Sequence, residues 1–218
     1  MRTIRTTIKY GALVAVIVRV LSATADASSI PVVNFSFENP ALPTGAENSD
    51  FIPGWTSDGG GVISAPGTFL ASVPDGSQAA WMWFGSSLSQ DLGVPSVAGQ
   101  TYTMNVFVGV EHGFLGPHYE VELLDGATVI GDASGQLGLN APFTLVSVSG
   151  VGGGAGDISV KLISFGEKVL FDDVTVQTSA AAVPEPASML LLGTGLIGTG
   201  VRRLRNRRQH TSRATRGQ

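Results

Sequence analysis

Glu111-His112 and His118-Tyr119-Glu120 bracket the loop at 113–117. Carboxylates and imidazoles this close along a chain are raw material for a metal site or for general acid–base chemistry. Their spacing fits neither ligands one helical turn apart nor a zinc finger, so the pattern predicts a solvated loop. Other catalytic signatures are missing. The chain has no cysteine, hence no thiolate nucleophile, cysteine zinc site or disulfide. No G-x-S-x-G elbow occurs. Fifteen carboxylates between residues 28 and 183 offer many pairs for glycoside hydrolysis and single out none. That stretch has no arginine either, so it lacks a planar clamp for phosphate or carboxylate. These residues point to a domain that is not an enzyme.

Charge is unevenly placed. Four of the 13 basic residues lie in the first 19 positions and seven lie beyond position 201, leaving only Lys161 and Lys168 between them. A body with two lysines against 15 acids repels phosphate backbones, which excludes nucleic acid as its partner. It suits divalent cations, basic surfaces or plain solubility.

The ends read as addresses. A basic start, an apolar run at 12–21 and Ala25-Asp26-Ala27 form a signal peptide at 1–27, cut by signal peptidase before Ser28. At the other end, Pro184, Glu185 and Pro186 precede an apolar stretch at 187–201. Both prolines resist helix continuation, so a helix starts after them. Fifteen helical residues reach about 22 Å, short for a bilayer core, and arginine stems snorkel to cover the mismatch. Arg202, Arg203, Arg205, Arg207 and Arg208 stay cytoplasmic by the positive-inside rule, which leaves the preceding domain outside. Gly193-Thr194-Gly195-Leu196-Ile197-Gly198 fits a dinucleotide fingerprint but sits in this run without a βαβ unit.

The order of motif, apolar run and basic end over 180–218 resembles the PEP-CTERM sorting signal of Gram-negative bacteria. The resemblance implies handling by an exosortase, an integral-membrane transpeptidase. It also implies export across the inner membrane, transient single-pass anchoring, and final residence at the cell surface or in an exopolysaccharide matrix.

Residues 28–179 read as one all-β domain. Strands are predicted at 32–38, 78–84, 87–92, 101–110, 118–124, 127–131, 143–150, 157–165 and 168–176, separated by turns such as Pro74-Asp75-Gly76-Ser77 and Asp125-Gly126. Tyr102, Met104, Val106, Val108 and Val110 share one face of the longest. No earlier segment has sustained helical periodicity, so the fold class is a single antiparallel β-sandwich, flanked by a signal helix and one short C-terminal transmembrane helix.

The ordered landmarks Asn34-Phe35-Ser36-Phe37-Glu38, Pro53-Gly54-Trp55, Asp75 to Ala80, Ser87 to Gln90, Thr101 to Thr103 and Phe171 to Val174 resemble galactose-binding-like jelly rolls, the fold of many carbohydrate-binding modules. The resemblance implies a structural calcium joining the first and last strands, held by Glu38 and one of Asp172 and Asp173; adjacent residues on a strand face opposite ways. The same acids could instead bond only to backbone. It also implies sugar stacking on exposed aromatics, for which Trp81 and Trp83, on one strand face, and Trp55 are the candidates. These tryptophans could equally fill the core. The resulting expectation is an exported, exosortase-processed protein that binds extracellular polysaccharide. A structural matrix protein without a specific ligand is the alternative, and a secreted glycan hydrolase a distant third.

Overall fold

The computed structural model describes residues 27–49, 51–114 and 116–179. The signal helix, the sorting motif at Pro184, Glu185 and Pro186, the apolar run and the arginines from Arg202 to Arg208 lie outside the described residues.

Twelve strands follow one another: β1 (Ser28–Ile30), β2 (Glu47–Asn48), β3 (Thr56–Ser57), β4 (Gly61–Ser64), β5 (Gln78–Met82), β6 (Ser87–Pro95), β7 (Thr101–Val110), β8 (His118–Asp125), β9 (Thr128–Gln136), β10 (Thr144–Val151), β11 (Asp157–Phe165) and β12 (Val169–Ser179). They form two antiparallel sheets packed as a jelly-roll sandwich. One has seven strands, in the order β10-β7-β12-β5-β4-β2 with β1 on the end of β12; the other has five, β3-β6-β11-β8-β9. The long strands are where alternation was clearest. Tyr102, Met104, Val106, Val108 and Val110 point inward from β7 to meet Val121, Leu123, Val160 and Leu162 of the other sheet. Along one side the sheets nearly touch: a Cβ on Gly150 would fall 2.4 Å from the Ile130 carbonyl oxygen. Only glycine allows that approach between β9 and β10.

The strand expected at 32–38 does not form. Asn34 (φ 52°) and Phe37 (φ 58°) turn into the left-handed region, which breaks any ladder. Side chains replace the missing strand bonds. Gln90 accepts from Val33 N at 2.8 Å and donates to Val33 O at 2.9 Å. Buried Gln78 donates to Phe37 O (2.7 Å) and Pro40 O (2.9 Å) and accepts from Leu42 N (2.5 Å). Replacing Gln78 by alanine strands three backbone groups. A loss of about 2–3 kcal/mol is expected, measurable by urea denaturation.

Candidate functional site

The first candidate is the acidic node. Glu38 is held against the turn before β5: its Oε1 accepts from Ser77 N (2.7 Å) and Gln78 N (2.7 Å), and its Oε2 from Ser77 Oγ (2.9 Å). A Cβ at Gly76 (φ 63°) would lie 2.4 Å from Glu38 Oε1, so the turn needs glycine. The same turn reaches the last strand, where Asp75 N donates to Asp172 Oδ2 at 2.9 Å. Asp173 N donates to Asp172 Oδ1 at 2.7 Å.

Strict alternation predicted that only one of Asp172 and Asp173 would turn inward. Asp172 is the one that does, and a bulge follows it, with Asp173 at φ 50°. Asp172 is fully buried, Asp173 is half-buried, and both feel the charge of Asp75. Burial, reinforced by the charges of Asp173 and Asp75 and only partly offset by the two N–H donors, pushes Asp172 up to about 8. Burial and then the Asp75 charge push Asp173 upward too.

Among the described residues, no basic side chain relieves this node. Lys161 pairs with Glu122 at 3.5 Å, and Lys168 with Glu47 at 2.7 Å and with Glu111. Oxygen donors without a cation suit a hard ion such as calcium. Among the described residues, however, no three His, Asp or Glu side chains are grouped to hold one, and Glu38 is committed to its turn.

The acids and histidines around 113–117 do not converge. Glu111 is buried against Lys168. His112 N donates to Phe69 O at 2.8 Å, and His118 starts β8 beside Gln136. The two carboxylates that do face each other, Glu47 and Glu111, hold the Lys168 ammonium between them.

Two of the three tryptophans are interior. Trp55, 3% exposed, packs on Phe37 at 5.3 Å and donates Nε1 to Asn34 O at 3.3 Å. Trp81, 5% exposed, donates Nε1 to Asn48 O at 3.0 Å, and the Lys168 ammonium sits 4.7 Å from its ring centroid. Neither offers a face to a sugar. The reason lies between β4 and β5, where the chain folds back over the outer face of its own sheet. There Ala65 and Leu70 cover Ile63, Ala79, Trp81 and Leu170 as a second small core. Trp83 shares a face with Trp81, as alternation requires, and meets it edge-on at 5.8 Å. It is half-buried and stacked on exposed Phe84 at 5.4 Å.

The concave site lies on that same outer face, two strands over. A groove of about 530 Å³ runs between the segments 69–74 and 140–143, with Phe107 of β7 on its floor. Phe69, Phe107 and Phe143 supply aromatic surface, and Ser72, His112 and Asn140 supply polar groups; no Asp, Glu, Lys or Arg lines it. Phe143 lies directly over Gly109, where a Cβ would come within 2.9 Å of the ring. Asn140 Oδ1 accepts from Gly113 N at 2.9 Å, which ties the 140–143 segment to the loop after β7.

Residues 28–177 match the family model for HpiC1-like proteins, described as HpiC1 cyclase. The chain belongs to the HpiC1-like family. Residues 182–208 match the PEP-CTERM protein-sorting motif, which marks an exported protein bound for exosortase processing and for the surface or extracellular space. No curated protein matches the chain.

Solved structures show what fold this HpiC1-like domain has. The tandem CBM22-1–CBM22-2 domain of Paenibacillus barcinonensis Xyn10C is similar at 16% identity and TM-score 0.50, covering 76% of this chain and 50% of that one. The CBM22-1 xylan-binding domain of the same protein has 13% identity and TM-score 0.49, covering 72% and 97%. TmCBM61, solved with β-1,4-galactotriose, has 18% identity and TM-score 0.47, covering 68% and 97%. The sandwich is thus the jelly roll of carbohydrate-binding modules. Sequence reasoning missed the groove of this family member because its aromatics are phenylalanines scattered over three segments. Their one sequence signal is Phe107, an aromatic on the outward-facing side of β7.

Proposed function

We propose that the domain is a non-catalytic polysaccharide-binding module, delivered to the cell surface or matrix by its sorting tail. Signal peptidase removes 1–27 and frees a domain of 28–179. The segment 180–218 then anchors it in a single pass until an exosortase acts at Pro184-Glu185-Pro186. The observation that carries the binding reading is the uncharged groove walled by Phe69, Phe107 and Phe143 in a carbohydrate-binding-module fold. Phenyl faces suit the apolar face of a pyranose, and Ser72, His112 and Asn140 suit its hydroxyls. Calcium belongs to the proposal only as a site of two carboxylates, Glu38 with Asp172 or Asp173, completed by backbone carbonyls.

Co-sedimentation of the protein with the host exopolysaccharide tests the reading. Saturable binding is expected, with Phe107→Ala and Phe143→Ala each weakening it about five- to tenfold. Absence of binding with and without calcium would leave a structural matrix protein.

A second reading is favoured by the cyclase family together with Asp172. A carboxyl that keeps its proton to about pH 8 beside the wall of an apolar groove has the properties of a general acid for ring closure. The readings part on Asp172→Asn, which leaves glycan in the groove and stops a proton-driven cyclisation.

A further inference from the structure

We propose that the glycan site continues out of the groove along β7, as a track for an uncharged polysaccharide chain bound mid-length. This rests on the groove reading above.

Beyond Phe107 the outward residues of β7 are Asn105, Thr103 and Thr101. Strand register sets Ser147 and Thr175 beside Asn105, and Ser149 and Gln177 beside Thr103. Thr103 Oγ1 and Ser149 Oγ are 2.8 Å apart. The result is a field of hydroxyl and amide groups on three strands, beginning at the groove floor and bounded by exposed Leu145 beside Phe107 and exposed Val151 beside Thr101. From Phe107 to Thr101 it extends about 20 Å, at roughly 3.4 Å per residue.

Charge is segregated between the two sheets. The outer face of the five-stranded sheet carries Asp91, Glu120, Glu122, Asp132 and Lys161, as a solvated sheet face commonly does. The exposed outer faces of β7, β10 and the 175–179 end of β12 carry none. A domain of 15 acids that keeps one face free of charge presents it to something uncharged. Among the described residues Lys161 and Lys168 are both paired, so neither offers a free ammonium to a uronate or sulfate.

The test compares xylobiose, xylohexaose and hexagalacturonate on the full chain by calorimetry in chelator. Xylohexaose should bind about tenfold tighter than xylobiose, because only the longer sugar spans groove and track. Gln177→Glu and Ser149→Asp, both at exposed positions, should bring that ratio close to one. Hexagalacturonate should not bind.

Equal affinity for the two xylo-oligosaccharides, or a ratio that neither variant changes, overturns the track and leaves the groove standing. Binding of hexagalacturonate in chelator overturns its neutrality. Failure of both xylo-oligosaccharides removes groove and track together for this sugar class. Sedimentation showing a dimer that these variants dissociate would assign the face to a second copy and overturn the track.

Discussion

In buffer free of divalent cations, the protein should melt at a lower temperature at pH 8.5 than at pH 5, and calcium should restore much of the loss. The cause is Asp172. Its folded pKa of about 8 stands above its ordinary 3.8, so the fold favours the protonated form. Its stabilising contribution is complete below about pH 4 and disappears as pH rises through about 8. At about 1.4 kcal/mol per unit, the shift bounds the effect near 6 kcal/mol. Asp173 is shifted in the same direction and adds to it.

A divalent cation bound at the node would remove the need for the proton. At a hundredfold excess over its dissociation constant it would return about 2.7 kcal/mol. Asp172→Asn should flatten the alkaline limb at a fixed cost, because one amide oxygen replaces two acceptors that serve Asp75 N and Asp173 N. Asp125 acts at the other end of the scale. Desolvation raises its pKa, but the N–H groups of Ala155, Gly153 and Gly156 and the Ser96 hydroxyl outweigh it and hold the carboxyl low. Its contribution is present above its ordinary range and lost as pH falls, so acid unfolding belongs to Asp125 and alkaline weakening to Asp172. A flat melting profile from pH 5 to 8.5 without cation would remove the Asp172 account.

The sheets could be read from alternation because a two-residue period makes two faces, and one must be buried. The eleven-residue β12 and the ten-residue β7 follow from that rule. What the period does not say is whether the outer face stays bare. Trp81 lies on the outer face and is still buried, because the chain from Ala65 to Val73 covers it. Phe107 lies on the same face two strands away and floors a groove, because there the loops stop short. The difference lives in loop paths between elements, where short-range pattern is weakest.

The node shows the same limit at smaller scale. Asp172-Asp173 as a pair is plain in the sequence, but nothing local marks the bulge, and the readiness of Asp to enter the left-handed region does not say which of the two will do so. Segment 32–38 failed as a strand for a different reason. Val32 to Glu38 alternates well, yet Gln78 and Gln90 offer its backbone partners that no propensity scale counts.

The Lys168 cluster connects stability to the groove, and Lys168→Met should expose that link. Lys168 is 2% exposed, lies between Glu47 and Glu111, and caps the Trp81 ring. Removing it leaves Glu111, itself 3% exposed, as an unpaired buried charge. Breaking a buried pair this way costs about 3–5 kcal/mol, and losing the cation above Trp81 adds up to about 2. Lys168→Met with Glu111→Leu should recover most of the loss, because two apolar side chains replace two charges in a site walled by Trp81 and Trp83. Urea denaturation of the two singles and the double closes the cycle. Glu111 is also the residue before His112, whose N–H holds Phe69 O at the groove rim. A charge seeking water at position 111 therefore pulls on that rim, although Lys168 does not line the groove. Lys168→Met should then weaken glycan binding at temperatures where the protein is still fully folded, and the double variant should restore it. Unchanged affinity in the folded single variant would confine the cluster to stability and free the groove rim from it.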